Sequence, residues 1–237
     1  MDKNYIDAYW ACNYFGCTIS DFRNQYDIVC PHFYLLGYNG VFIMNVYNKF
    51  VISAPEDKIS IFSQIINRGN DLFDYQYLQS QLKDKFGQFI GPSWIGYPMN
   101  NKSCENPENT QILNKTDNKR ILVFKQLRPC CDQTEWLHSG IDEASEYIAV
   151  RFLGDIIVSV ASYEKWGEKV AHIGIITHPK FRNKGYAKNV LSLLTEFINQ
   201  QGLIPQYRTL CMNIPAIRTA VKCGYAEYAS HVSIRFK

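Results

Sequence analysis

The second half of the chain alternates between apolar runs and amphipathic stretches, and this alternation predicts strands and helices. Six runs predict strands: "RILVFKQLRP", "SEYIAVRFLG", "DIIVSVASYEKWG", "EKVAHIGIITHP", "IPQYRTLCM" and "AEYASHVSIRF". In the fourth of these runs, Gly174 indicates a bulge or a close approach of another backbone. A helix from about Gly185 to Gln201 is predicted because one face carries Ala187, Val190, Leu191, Leu194 and Ile198. A second helix is predicted for "NIPAIRTAVKCG".

The first half has a mixed pattern of strands and helices. Helical periodicity predicts helices in "NYIDAYWACNYFG", "PEDKISIFSQIINRG" and "DYQYLQSQLKDKFG". Strands are predicted in "FIGPSWIGYP" and in "HFYLLGYNGVFIMNVYNKFVISAP", where "GYNG" and "YNK" are turns. We therefore expect an α/β (α+β) chain.

A polar segment from Pro98 to Arg120 separates the two halves. It is rich in Asn, Ser, Thr and charged residues and poor in apolar ones, which predicts a loop or linker. We therefore predict two domains: a smaller mixed α/β domain at 1–117 and a second domain at 118–237.

Composition excludes several classes of protein. Of 237 residues, 46% are hydrophobic and 20% are charged, as in ordinary globular proteins. The net charge of +3 is too small to favour a nucleic-acid partner. Arg151 and Asp155 interrupt the longest apolar stretch, so no membrane span is expected, and the N-terminus lacks the apolar core of a signal peptide. A cytoplasmic location is the expectation.

The eight cysteines do not follow a metal-binding or disulfide pattern. The sequence contains no C-x-x-C pair, and nothing indicates the secretory context in which an even number of cysteines predicts disulfides. We expect buried or incidental free thiols, and no metal.

The segment "RNKGYA", from Arg182 to Ala187, lies between a predicted strand and a predicted helix. Backbone N–H groups at a helix start have no intrahelical acceptors, so they bind anions, and small residues let a phosphate approach. Lys184 and Lys188 add positive charge. The pattern is neither a P-loop nor a dinucleotide-binding fingerprint. It predicts a pyrophosphate site, with a purely structural glycine turn as the alternative.

These residues resemble a known family. Arg182-x-x-Gly185-x-Ala187 after "IITHP" is similar to the acetyl-CoA motif of the GNAT superfamily of N-acyltransferases, and "NIPAIRTAVKCGY" resembles its next motif. The segments "THPKFRNKGYAKNV", "EWLHSG" and "GPSWIGY" are similar to a bacterial subfamily with an added N-terminal domain. The resemblance covers residues 118–237 and is weak before residue 115.

The resemblance implies a mixed central sheet flanked by helices, with acetyl-CoA as the acyl donor. It implies that the pyrophosphate is bound by Arg182, Asn183, Lys184, Gly185, Tyr186 and Ala187. It also implies that the pantetheine arm pairs with the strand end at Ile175, Ile176 and Thr177, with Asn213 close to it. Asn213 alternatively serves only as a helix N-cap.

One position departs from the family pattern. Many GNAT enzymes carry a tyrosine seven residues after the equivalent of Asn213, where it protonates the departing thiolate, and here that residue is Ala220. Either another group serves, or the thiolate leaves unaided. Candidates by residue type alone are Tyr163, Tyr207, Tyr225 and Tyr228.

Three residues are candidates for the base that takes the proton of the attacking amine. Glu135 and His138 are spaced i, i+3, so a helical turn places both on one face, and Trp136 would wall the site. His172 lies on the fourth predicted strand, near where some relatives carry an acid. The alternatives are an exposed helix-capping acid for Glu135 and a core histidine for His172.

The resulting hypothesis is an N-acetyltransferase that moves an acetyl group from acetyl-CoA to an amine in a ternary complex. The alternative is a degenerate GNAT domain that binds CoA or a protein partner without catalysis. The N-terminal domain is predicted to shape the acceptor site. The acceptor, the acyl-chain preference and the oligomeric state, including a homodimer, are left open by the sequence.

Overall fold

The computed structural model describes residues 2–66, 71–99 and 109–237. The chain forms two compact units, each assembled from separate stretches of sequence. The first unit consists of residues 2–95, 209–212 and 227–237, and the second consists of residues 96–208 and 213–226. The proposed division into domains at 1–117 and 118–237 stays a prediction.

The first unit begins with helices and continues with strands. Its elements are α1 (Lys3–Ala8), a π-helical segment (Tyr9–Phe15), α2 (Ile19–Arg23), β1 (Ile28–Pro31), β2 (Gly40–Val46), β3 (Lys49–Ala54), α3 (Ile59–Ile66), α4 (Tyr75–Leu82) and β4 (Phe86–Pro98). The first predicted helix is confirmed, and it ends at Gly16 in the left-handed conformation, with a φ of 68°. The predicted strand in "HFYLLG" is wrong, because these residues form turns.

The remaining elements follow along the chain. They are β5 (Thr110–Asn114), a π-helical segment (Val123–Leu127), α5 (Gln133–His138), β6 (Tyr147–Leu153), β7 (Ile156–Trp166), β8 (Val170–Thr177), α6 (Tyr186–Gln200), β9 (Ile204–Leu210), α7 (Ile214–Lys222) and β10 (Tyr225–Phe236). Single 3₁₀ turns lie at Glu56–Lys58, Lys83–Lys85, Asn118–Arg120, Arg128–Cys130 and Pro179–Phe181. Strands β4, β9 and β10 each contain residues of both units.

Each unit has a mixed sheet with helices packed on it. In the first unit the strand order is β1-β3-β2-β10-β4, with β1 and β3 parallel. Its core joins the sheet to α3 and α4 through buried residues that include Ile43, Ile52, Phe62 and Leu78. In the second unit the order is β4-β9-β8-β7-β6-β5. Neighbouring strands from β5 to β8 are antiparallel, whereas β8 and β9 are parallel.

Helix α6 packs on the sheet through the predicted apolar face. Val190, Leu191, Leu194 and Ile198 have no exposed surface, and each such side chain contributes about 1.5–3 kcal/mol of burial free energy. The prediction of an α/β chain is confirmed.

Two predictions near residue 117 are wrong. The run "RILVFKQLRP" is helical rather than extended, because Val123 and Leu127, four residues apart, are both fully buried in one cluster with Trp136. The first strand of the second unit is instead β5, inside the predicted linker, where Leu113 is buried. Residues 100–108 of that linker lie outside the described residues.

Candidate functional site

Strands β8 and β9 separate partway along their length. They pair in parallel from Val170 with Ile204 to Ile173 with Tyr207. Strand β8 then continues through Gly174–Thr177, and no described residue of β9 is paired with this part. The sheet therefore has an opening between β8 and β9, where the backbone of β8 is not paired with β9.

The backbone groups of β8 that face the opening belong to Ile175 and Thr177. The N–H of His178 donates to the carbonyl of Val158 on β7 at 2.9 Å, which fixes the phase of the antiparallel ladder. Alternate residues of an antiparallel strand direct their N–H and C=O to opposite sides. Ile176 therefore bonds towards β7, and its side chain is buried in the core, whereas Ile175 and Thr177 face the opening.

A close backbone contact supports β8 at the start of the opening. A Cβ atom on Gly174 would lie 1.8 Å from the carbonyl oxygen of Ser139, just after α5. Only glycine allows this approach, as the sequence predicted. The contact holds the end of α5 against β8, so that Glu135 and His138 are carried beside the strand.

The turn after β8 presents a row of free amide groups. Asn183 and Gly185 have left-handed φ angles of 62° and 84°, and Gly185 is the N-cap of α6 without a side-chain capping bond. The backbone N–H groups of residues 183–188 find no acceptor among the described residues, and the first bond is from Asn189 to the Gly185 carbonyl at 3.3 Å. Lys184, Tyr186 and Ala187 belong to this row, so the geometry fits an anion.

Arg182 and Glu135 form a bidentate ion pair at this turn. The Arg182 guanidinium donates to both Glu135 carboxylate oxygens, at 3.0 and 2.7 Å, and its Nε donates to the Thr177 carbonyl at 3.3 Å. Hydrogen bonding to Glu135 raises the pKa of Arg182. The predicted base candidate is thus held by a residue of the predicted pyrophosphate turn. His138, in the last turn of α5, is exposed.

His172 lies on β8, at the start of the same strand. Its ring stacks on Trp166, with ring centroids 4.1 Å apart. Burial, reinforced by the positive charge of Arg208, lowers the pKa of His172 to about 4, although Gln206 opposes the change. The imidazole is therefore neutral at physiological pH.

A groove of about 790 Å³ borders this region of the second unit. It is lined by α5, the loop after it and the end of β7, and it carries the acidic residues Asp142, Glu143, Glu146 and Glu164, against the cations Arg128 and Lys165. Trp136, the predicted wall, is buried and lines it. Because Glu164 is the β7 partner of His172, one wall of the groove adjoins the histidine.

Arg120 fixes the acidic loop of the groove. The side chain is buried, and its guanidinium donates to the backbone carbonyls of Asp142, Glu143, Ser145 and Glu146. Sequence reasoning assigned Arg120 to a strand and missed this role. A buried arginine at the start of a helical segment leaves no local sequence signal.

Helix α7 begins at the predicted cap and contains no tyrosine. Asn213 caps it, accepting from the Ala216 N–H at 3.3 Å, and is exposed. Ala220 is fully buried. Among the tyrosine candidates, the Tyr225 hydroxyl bonds to Thr195 at 2.7 Å, and the Tyr228 hydroxyl donates to Asp7 within the first unit at 2.8 Å. Tyr207 is buried at the last β8–β9 pair, and burial raises its pKa to about 12.

Gln206, on β9, is a second residue that sequence reasoning missed. It has no exposed surface, although it lies in the predicted strand "IPQYRTLCM" among apolar residues. A polar residue inside an apolar strand was the available signal.

The described residues contain neither a metal-binding cluster nor a membrane-spanning helix. Within them, no group of three or more His, Cys, Asp or Glu side chains could hold a metal ion. None of their helices combines the length and apolar character that crossing a membrane requires.

Comparison with known proteins gives one family. Residues 113–225 match the profile of the "Acetyltransferase (GNAT) family". No curated protein matches the chain by sequence.

Similar solved structures include three bacterial proteins. An acetyltransferase from the GNAT family of Colwellia psychrerythraea is 19% identical, with a TM-score of 0.49, over 68% of this chain and 61% of its own. A GCN5-related N-acetyltransferase-like protein from Streptococcus suis is 14% identical, with a TM-score of 0.42, over 80% and 72%. The Salmonella typhimurium protein yncA, solved with its cofactor acetyl-CoA, is 12% identical, with a TM-score of 0.40, over 54% and 94%. The chain thus spans less than two thirds of the first of these structures.

Proposed function

We propose that this protein transfers the acetyl group of acetyl-CoA to an amine, because residues 113–225 match the profile of the GNAT acetyltransferase family. One observation carries the proposal: the opening between β8 and β9 leads directly to the free amide groups of residues 183–188. A long ligand with an anionic group at one end and an amide-bearing arm fits this arrangement.

The proposed donor lies along β8. Its pyrophosphate accepts hydrogen bonds from the N–H groups of the turn that contains Asn183, Lys184, Gly185, Tyr186 and Ala187, beside the Arg182 side chain. Its pantetheine amides pair with the backbone groups of Ile175 and Thr177 that face the opening, as an added strand would. The thioester then lies in the opening, on the side towards Asn213.

The proposed acceptor is an amine because of the charge of the groove. Four carboxylate residues and two cationic residues line it. A net negative lining attracts a cationic amine and raises its local concentration. The groove wall at Glu164 leads to His172, the proposed base.

The proposed reaction is a direct attack in the ternary complex. The amine nitrogen forms a bond to the thioester carbonyl carbon, the C–S bond breaks, and CoA leaves as a thiolate. His172 takes the proton that the nitrogen loses. Tyr207, whose raised pKa keeps its phenol protonated, is the candidate for returning a proton to the thiolate in the absence of a tyrosine at Ala220.

His172 is favoured over Glu135 because of their partners. Glu135 accepts two hydrogen bonds from Arg182, which occupy both of its carboxylate oxygens. His172 is neutral at physiological pH, so it can accept a proton without first losing one. His138 lies exposed on α5 and stays a weaker candidate.

The test is release of CoA thiol from acetyl-CoA with a panel of amines. Turnover above the rate without amine is expected for wild type. His172→Gln should lower kcat about a hundredfold or more while the Kd for CoA is unchanged. Glu135→Gln, the matched acid variant, should weaken CoA binding more than it lowers kcat. A hundredfold loss of kcat in Glu135→Gln alone would return the role of base to Glu135.

A second candidate function is favoured by Ala220. The loss of the usual tyrosine from α7 fits a domain that binds CoA or a protein partner without catalysis. This alternative predicts CoA binding by calorimetry but no amine-dependent thiol release.

A cytoplasmic location is proposed because the seven described cysteines are free thiols, as in a reducing compartment.

A further inference from the structure

Gln206 lies beside His172 on the neighbouring strand. The two residues are register partners in the parallel β8–β9 pair, so their side chains extend from the same face of the sheet. Gln206 has no exposed surface, whereas His172 is partly exposed. A fully buried glutamine next to a histidine requires an account of its hydrogen bonds, because an unpaired buried amide is costly.

The amide of Gln206 is held at one end. Its Nε2 donates to the Tyr97 hydroxyl, near the end of β4, at 2.5 Å. In this orientation Oε1 is the free end of the amide. Within the described residues, Gln206 Oε1 and His172 Nδ1 are both buried without a hydrogen-bond partner. The two orphaned atoms belong to adjacent side chains, and one is an acceptor while the other can carry a proton.

We propose that neutral His172 carries its proton on Nδ1 and that this N–H donates a hydrogen bond to Gln206 Oε1. Nε2 is then the nitrogen that receives the proton of the attacking amine. The catalytic part of this inference rests on the proposed function, whereas the tautomer does not. Gln206 is then a positioning residue, and Tyr97 fixes the direction of its amide.

The tautomer matters because a neutral imidazole has one basic nitrogen. In a free histidine side chain the proton lies mainly on Nε2, which would leave the buried Nδ1 as the base. A hydrogen bond from Nδ1 reverses this preference, and the partner of one ring nitrogen decides the role of the other. Stacking on Trp166 holds the ring plane while Gln206 sets the tautomer.

The charged groups around His172 do not offer a buried acceptor for the Nδ1 proton, whereas Gln206 does. Arg208 on β9 disfavours the imidazolium. Glu164, opposite His172 on β7, is exposed, and its Oε2 accepts from the Trp166 indole at 3.2 Å. Lys165 is exposed next to it. Among these neighbours, Gln206 is the buried group positioned to accept from Nδ1.

The experiment is a long-range ¹H–¹⁵N NMR spectrum of ¹⁵N-histidine-labelled protein at pH 7.5, with His172→Gln used to assign the signals. The expected result is a protonated Nδ1 in wild type and a protonated Nε2 in Gln206→Met, with no change in the exposed control Gln200→Met. A protonated Nε2 in wild type would overturn the inference, because it would mean that the Gln206 amide is reversed and donates to Nδ1. This readout needs no activity, so it stands even if no amine is acetylated.

A second measurement tests the positioning role in the active enzyme. Gln206→Met should lower kcat about tenfold or more, with the KM for acetyl-CoA unchanged. Gln206→Glu keeps an acceptor for Nδ1 and adds a negative charge, so it should restore turnover and move the acid limb of the pH–rate profile to higher pH. Equal losses in both variants, with an unmoved profile, would show a packing role and overturn the proposal.

Discussion

Replacing His172 by glutamine should remove a specific part of the acid sensitivity of the fold. Burial lowers the pKa of His172 from 6.5 to about 4. Above pH 6.5 the residue is neutral in both the folded and the unfolded chain, and its contribution to stability is fully present. As the pH falls below 6.5, the unfolded chain takes up a proton first, so the folded state loses stability until about pH 4, where it is also protonated.

The magnitude follows from the two pKa values. They differ by about 2.5, which corresponds to about 3 kcal/mol of unfolding free energy lost between pH 7.5 and pH 4. At pH 5 the unfolded chain is almost fully protonated and the folded chain is mostly neutral, so about 2 kcal/mol of this loss is expected. For a domain of ordinary stability that is a considerable fraction.

The assay is urea unfolding of wild type and His172→Gln at pH 7.5, 6.5, 5.5 and 5.0, followed by tryptophan fluorescence. Glutamine cannot titrate, so the variant should lose about 2 kcal/mol less than wild type between pH 7.5 and pH 5.0. His138→Gln, the same change at an exposed histidine, serves as the control. Parallel pH dependences in wild type and His172→Gln would refute the reasoning, because His172 would then titrate alike in both states.

Two further predictions concern the turn of residues 182–187, where the pyrophosphate of CoA is proposed to bind, and the groove beside α5. Gly185→Val should weaken CoA binding at least tenfold, about 1.4 kcal/mol, because valine disfavours the left-handed φ of 84° that aligns the free amides. Gly202→Val, at the other end of α6 with a φ of 70° and equally open surroundings, controls for strain alone, and equal calorimetric affinities in both variants would contradict the prediction. Arg120→Met should raise the KM for the acceptor several-fold and lower stability by about 2 kcal/mol while the CoA affinity is kept, because four loop carbonyls lose a charged donor. Lys119→Met, at the exposed neighbour, should change neither, and an unaltered KM in Arg120→Met would separate the loop from acceptor binding.

Local sequence patterns were sufficient to predict the elements around the turn of residues 182–187. The apolar face of α6, the Asn213 cap of α7 and the close approach at Gly174 each depend on residues a few positions apart, and all three are confirmed. Such features are encoded by helical period, capping chemistry and the missing Cβ of glycine.

The same reasoning failed where the apolar residues of a segment fit both a helix and a strand, and only their burial in the fold decides between the two. "RILVFKQLRP" contains enough β-branched and aromatic residues to suggest a strand, but Val123 and Leu127 satisfy a helical spacing that fills the core beside Trp136. Strand β5 was missed for the opposite reason. Only five residues long, it carries a single fully buried leucine, Leu113, and is flanked by polar residues.

The partners of the candidate site residues could not be predicted from local pattern, because they come from distant parts of the chain. Glu135 is 47 positions from Arg182 along the chain, so local pattern could not predict that their side chains form an ion pair. Gln206 and His172 become neighbours through the parallel pairing of β8 and β9, which α6 connects. Once a sequence predicts that a helix joins two parallel strands, each polar residue of one strand should be compared with those of the other. Applied to β8 and β9, this comparison aligns His172 with Gln206, which are the proposed base and the residue proposed to set its tautomer.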